Sequence, residues 1–314
     1  MEWNEILNLL IMNQWYLFYL AGIMVVAGYA KHYNWFFPIY QFVVDRVKSK
    51  RAVVALVSAL TGILPIPGRV SVSAGVLDTI SSESRGREKL GMIDYLSTHH
   101  YYLWSPIEKT IILPMAAFGL SYWAMMSYML PLLVGCLAVV LFYIFWILEE
   151  DDIHISPTEL RPDRKDGIPD PTTLVDWQLI GLLAIIIIFG NFAKQYTDEI
   201  KIFTESAGLT LIQMSVISFV GSFFLGSSSR FSALTVIATS IFGLEYLAWF
   251  FALDYAGYIL SPVHKCCFIG WRYFNTPIVM YYKALTVMCI VVILSSLLTS
   301  VSYTHLKLPT ILLV

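Results

Sequence analysis

An apolar run over residues 52–80 is cut in its middle by Leu64-Pro65-Ile66-Pro67-Gly68-Arg69, and continues through Val70-Ser71-Val72-Ser73-Ala74-Gly75. Proline removes a backbone donor and glycine favours non-helical backbone, so no single helix runs through this stretch. In a bilayer, broken backbone is tolerated only where protein or a water-filled cavity satisfies its polar groups. An arginine at such a place is costly and marks a functional-site candidate. The break restricts the chain to folds that bury a polar interruption inside an apolar scaffold.

Composition supplies the scaffold. Of 314 residues, 58% are hydrophobic and 13% charged, and the mean hydropathy is +0.69. Soluble domains carry about 25% charged residues. The expected class is an all-α polytopic protein of the cell's inner (plasma) membrane, with the lipid bilayer as its first partner. No basic arm or zinc pattern appears, so nucleic acid is not an expected partner. Cys136, Cys266, Cys267 and Cys289 lie in apolar segments without paired metal-ligand spacing and read as small core residues. No metal or cofactor is expected, beyond sodium or a proton as coupling ion. The N-terminus lacks the basic region and cleavage site of a secretory signal, so the first apolar segment is expected to remain as a helix.

The loops set the expected orientation. A first span covers residues 15–30. Arg46, Lys48, Lys50 and Arg51 precede the broken run, and Arg85, Arg87 and Lys89 follow it. Positive loops on both sides favour cytoplasmic ends and a re-entrant hairpin; the alternative is a single broken span that would put one of these basic loops outside. A broken segment at 90–122 follows, interrupted at Trp104-Ser105-Pro106, and a span near 130–148 closes the first half. Residues 149–175 form a polar cytoplasmic linker. The second half has a span at 176–193, a hairpin from 208–225 and 231–243, a broken segment at 245–274 and a span at 281–300.

The halves correspond. Arg69-x-Ser71 matches Arg230-x-Ser232, 161 residues apart. Tyr102, Ser105, Pro106 and Lys109 match Tyr258, Ser261, Pro262 and Lys265, 156 apart. Three crossings per half make the second half inverted. The expected units are a first inverted repeat at 1–148, the linker at 149–175 and a second inverted repeat at 176–300. Corresponding interrupted segments point to a secondary transporter with its site between the repeats.

The candidate substrate-binding residues are Gly68, Arg69, Ser71 and Ser73 of the first hairpin, and Ser229, Arg230, Ser232 and Thr235 of the second. Helix N-termini, hydroxyls and guanidinium groups suit a small anionic solute. Alternatively each arginine braces its hairpin by bonding helix-end carbonyls. Ser105 and Ser261, beside carbonyls released by proline, suit sodium. Glu108 and His264, at equivalent positions, are candidate proton carriers; the alternative makes Glu108–Lys109 and His264–Lys265 structural pairs. Asp94, Asp254, His99 and His100 read as structural or interfacial polar groups.

The stretches LPIPGRVSVSAGVLD, DYLSTHHYYLWSPIEKTIILP and GYILSPVHKCCFIGWRYF resemble the integral-membrane family known as domain of unknown function number 401. That family is grouped with the ion-transporter superfamily, which includes dicarboxylate and citrate carriers and sodium/proton antiporters. The likeness runs over residues 15–300. It implies a carrier, and its frequently dimeric relatives make a homodimer one expected arrangement; comparable members carry additional N-terminal helices. Residues 301–314 resemble a translated sequencing adapter and receive no function. The leading expectation is a non-enzymatic secondary transporter that moves a small anion by alternating access, coupled to sodium or protons. A cation/proton antiporter is the alternative, followed by an intramembrane enzyme or an accessory membrane protein. Against an enzyme, the sequence contains no HExxH and no Gly-x-Ser-x-Gly.

Overall fold

The computed structural model describes residues 11, 14–33, 35, 37–63, 69–81, 85–155, 167–175, 210–226, 228–264, 266 and 273–306, with scattered positions between 177 and 208. Among the described residues every regular element is helical. The first half contains α1 (Gln14–His32), α2 (Phe37–Arg46), α3 (Lys50–Ile63), α4 (Arg69–Ile80), α5 (Arg87–Thr98), α6 (Lys109–Phe118) and α7 (Tyr122–Phe142). The second half contains α8 (Leu211–Leu225), α9 (Ser228–Phe242), α10 (Leu247–Leu260) and α11 (Ile278–Leu306). The span expected at 176–193 and the tip at 64–68 lie largely or wholly outside the described residues.

Among the described residues, two helices are long and apolar enough to cross a membrane: Tyr122–Ile147, where a π-helical turn extends α7, and Ile278–Thr299 within α11. They pack on each other and α11 also packs on α10. The first begins earlier than the span expected near 130. Gly119 stops α6 in the left-handed conformation at φ 64°. Ser121 then caps α7, its side chain accepting from Ala124 N at 3.2 Å. Outward faces of these helices expose Trp123, Val134, Trp146, Val279, Leu294 and Leu298. Hydroxyls, carboxylates and histidines are buried instead, inverting the usual soluble pattern.

Two helical triplets organise the interior. α3 packs on α4 and both pack on α5; α8 packs on α9 and both pack on α10. In the second triplet the bend falls at Gly226, φ 54°, where a Cβ would sit 3.0 Å from the Val263 Cβ. Glycine is needed there for backbone angle and for space. At Gly257 an added Cβ would collide with the Phe219 carbonyl, so α10 lies directly against the α8 backbone. Across the halves, α9 packs on α6 around Ile112, Ala116 and Val236.

One end of the bundle gathers several connections. The Lys50 N–H donates to Glu150 at 2.8 Å, and Lys89 Nζ meets Glu149 at 3.2 Å. Consecutive acids at the start of the linker thus hold the first residue of α3 and the first turn of α5. Arg87 donates to the Tyr273 carbonyl at 3.0 Å and Thr276 to the Glu88 carbonyl at 2.9 Å. At the end of α1, Tyr29 donates to the Pro169 carbonyl at 3.2 Å and His32 Nε2 lies 2.9 Å from the Gly167 oxygen. Asp170 caps the adjacent turn, accepting from Thr172 N and Oγ1 at 2.8 Å each. Those bonds hold its exposed carboxyl below the usual carboxylate range.

Candidate functional site

Each triplet closes around one carboxylate. Asp94 on α5 accepts from Ser58 Oγ on α3 at 2.7 Å and from Ser73 Oγ on α4, both at its Oδ1. Asp254 on α10 accepts from Ser222 Oγ on α8 at 3.1 Å and from Thr235 Oγ1 on α9 at 2.6 Å. All six side chains are buried. The two aspartates are 160 residues apart, close to the offsets of 156 and 161 that relate the halves. The same device, one hydroxyl from each limb meeting one carboxylate on the third helix, therefore occurs twice. A buried carboxyl is tolerable only with such partners, whichever protonation state it holds.

The two Ser-Pro breaks share a backbone design. Glu108 N–H donates to the Ser105 carbonyl at 3.0 Å, and His264 N–H donates to the Ser261 carbonyl at 3.1 Å. Both are four-residue turns with proline second, where its fixed φ fits. Ser261 Oγ accepts from Val263 N–H at 3.2 Å, so that hydroxyl tightens its own turn.

Between the breaks lies an aromatic centre. Tyr102 and Tyr258, at equivalent positions, share a hydrogen bond at 2.8 Å, with rings at 87° and centroids 5.4 Å apart. Arg69 donates to Glu108 at 2.8 Å and lies over the Tyr101 ring. Its contact with the Gly62 carbonyl is long, at 3.5 Å. Tyr95 stacks on His99, and its hydroxyl lies 3.0 Å from His264 Nδ1. Tyr258 stacks on His264 with centroids 4.2 Å apart.

These placements reassign several expected residues. Arg69 and Glu108 come together, and Glu108 pairs with Arg69 rather than Lys109. Glu108 stands in extended backbone one residue before α6, and the Arg69 guanidinium at the start of α4 reaches it. Ser73 and Thr235, expected to face a solute, give their hydroxyls to Asp94 and Asp254. Ser105, Ser232 and Ser261 are buried. Gly68, Lys265 and the side chains of Ser71, Ser229 and Arg230 lie outside what is described. Asp94, Asp254 and His99, read from the sequence as structural groups, stand at the polar centres. The readable signal was the matched spacing of two acids in apolar half-helices.

Comparisons with protein-family models, with curated proteins and with solved structures found no match to this chain.

Proposed function

We propose that the chain is a secondary active transporter embedded in a membrane, working by alternating access and coupled to protons or sodium through Asp94 and Asp254. The observation that carries this reading is the duplicated carboxylate with its two hydroxyls. A carboxyl can take up and release a proton, and with two adjoining hydroxyl oxygens it offers the oxygen donors that a hard cation requires. A passive membrane scaffold gains nothing from two such buried groups.

Helix length supports the re-entrant reading. The limbs α3 and α4 have 14 and 12 residues, about 21 and 18 Å at 1.5 Å per residue. Limbs α8 and α9 have 15 each, about 23 Å. All fall short of a hydrocarbon core about 30 Å thick. The gathering of residues 50, 87–89, 149–150 and 273–276 at one end of the bundle agrees with cytoplasmic ends for the first hairpin and for the second broken segment. Such a chain spans the membrane several times, with its second half inverted.

The cargo in this reading is a small anion, drawn by helix N-termini and by Arg69 and Arg230. The resemblance to the ion-transporter superfamily points the same way. A second reading, a cation/proton antiporter, is favoured by one observation: Arg69 is already engaged by Glu108.

Reconstitution in liposomes tests both. Labelled dicarboxylates, sulfate and phosphate are offered under imposed proton or sodium gradients. Anion uptake that follows the gradient, abolished by Asp94→Asn, is the expected result. Cation flux without anion uptake selects the antiporter. A folded, reconstituted protein with no flux overturns the transporter. Cysteine labelling provides the topology test: positions 48 and 85 on opposite faces would refute the hairpin.

A further inference from the structure

His99, His264 and Cys266 meet although 165 residues separate the two histidines in sequence. Their ligand atoms all lie within 4.8 Å of one another, and the imidazole rings cross at 68° with centroids 5.2 Å apart. Both histidines are buried. His99 Nδ1 is 2.6 Å from the Tyr95 carbonyl, and His264 Nδ1 is 3.2 Å from the Tyr258 carbonyl. The Tyr95 hydroxyl, 3.0 Å from His264 Nδ1, donates to the Ile259 carbonyl at 3.3 Å and so can accept from the ring; with a carbonyl beside each Nδ1, the fitting tautomer has the proton on Nδ1 and the lone pair on Nε2. Both Nε2 atoms are buried and have no hydrogen-bond partner among the described residues. Buried ring nitrogens are rarely left so, and each of these rings has a nitrogen within 4.8 Å of the other's and of the Cys266 sulfur. An Nδ1–H fixed on a carbonyl with Nε2 turned to the site is the arrangement of metal-ligating histidines.

We propose that His99, His264 and Cys266 bind one divalent transition-metal ion of the zinc class. Two imidazoles and one thiolate are borderline-soft donors, which favour zinc or cobalt over the oxygen-seeking sodium, magnesium and calcium. Tetrahedral bonds to nitrogen and sulfur put ligand atoms about 3.4–3.6 Å apart, so the widest separation closes by roughly 1 Å on binding. Binding exchanges the thiol proton for the metal and releases that proton to solvent. The fourth position is left to water or an anion. His99 ends α5 in the first half, and His264 and Cys266 follow the Ser-Pro turn of the second, so the ion ties the halves together beside Tyr102 and Tyr258. This role does not depend on what is transported.

The test is spectroscopic and uses the full chain, purified in detergent and stripped of metal. Titration with cobalt(II) should give a thiolate-to-cobalt charge-transfer band that saturates at one ion per chain, releases one proton and is reversed by zinc. Cys266→Ser should remove the band, and Cys267→Ser should leave it. His99→Gln and His264→Gln should each weaken binding at least about tenfold. A monodisperse, helical protein without a saturable band overturns the site, as does a band that survives Cys266→Ser or is removed only by Cys267→Ser. If a histidine variant does not fold, the two cysteine variants and the proton count decide the matter.

Discussion

Asp94→Asn separates what the first carboxylate does for the fold from what it does for coupling. Ser58 and Ser73 both donate to the same oxygen, Oδ1. An asparagine carbonyl offers two lone pairs at that place, so both bonds can persist. What is lost is charge assistance. Hydrogen bonds to a charged group are worth about 1.5–3 kcal/mol and neutral ones about 0.5–1.5. The substitution therefore costs about 2 kcal/mol over two bonds if Asp94 is ionised in the resting protein, and near zero if it is protonated. Asp94→Ala removes the acceptor and leaves two buried hydroxyls, which stand 3.5 Å apart and make only a long contact with each other. At about 1–3 kcal/mol for each unsatisfied group, that change costs about 4 kcal/mol. Chemical denaturation in detergent measures both, and proton- or sodium-driven uptake in liposomes measures coupling. The expected result is a folded Asp94→Asn protein that has lost at least about 90% of its gradient-driven uptake, because an amide neither carries a proton nor neutralises a cation. Undiminished uptake by Asp94→Asn would show that Asp94 only braces the triplet. Equal destabilisation by Asn and Ala would refute the placement of both hydroxyls on Oδ1.

Arg69→Gln and Glu108→Gln each strand a largely buried charge and should each destabilise by about 3 kcal/mol. The double variant should be at least 1 kcal/mol more stable than the sum of the two, roughly the coupling of a close pair; denaturation that is simply additive rules the pair out. Gly226→Ala should cost about 1–2 kcal/mol, since it combines a left-handed backbone angle with a 3.0 Å approach to Val263. Gly75→Ala on α4, where an added methyl meets nothing within 4 Å, should instead be neutral or stabilise by up to about 1 kcal/mol; the opposite order is incompatible with the bend at Gly226. Because hydrogen bonds hold the folded Asp170 pKa below its unfolded value, the 171–174 turn is supported fully above the unfolded value and loses that support as pH falls through the lowered one. Amide exchange at Thr172 should accelerate only in that acidic window and should be fast at neutral pH in Asp170→Ala, which removes the accepting oxygen; exchange independent of pH after correction for intrinsic chemistry would contradict the cap.

The helical class was legible from composition, and the two breaks from proline placement. Ser-Pro leaves a helix little choice, and both breaks became the same turn. The start of α7 was less legible, because residues 119–122 carry an apolar-polar mixture and the boundary depends on Gly119 reversing the chain and Ser121 capping. The Glu108–Lys109 pair was displaced by a partner distant in sequence: Glu108 stands in extended backbone just before α6, where Arg69 reaches it at 2.8 Å. Asp94 and Asp254 were visible as acids in apolar surroundings, yet taken singly each read as a structural residue. Their meaning lies in partners 36 and 21 residues away for Asp94, and 32 and 19 away for Asp254. No local periodicity encodes those distances. The pair of histidines with Cys266 is still further from local reach, as its members come from different halves.

The contact between Tyr102 and Tyr258 limits how the halves can be related. In a two-fold arrangement, a residue touches its own equivalent only where it lies close to the axis. Two equivalent tyrosines in hydrogen-bond contact therefore favour a pseudo-two-fold axis through the aromatic centre, with Asp94 and Asp254 disposed on either side of it. The frame is duplicated but the chemistry at the breaks is not. Glu108 pairs with Arg69, whereas His264 bonds to Tyr95 and the Tyr258 carbonyl. Under the proposed alternating access, exchanging the two halves' conformations would not exchange like for like, because Glu108 at the first break has His264 as its counterpart at the second. The two states of that proposed cycle would then differ in energy. In the proposed cycle, a cation gradient acting through Asp94 and Asp254 is the natural agent to offset such a bias.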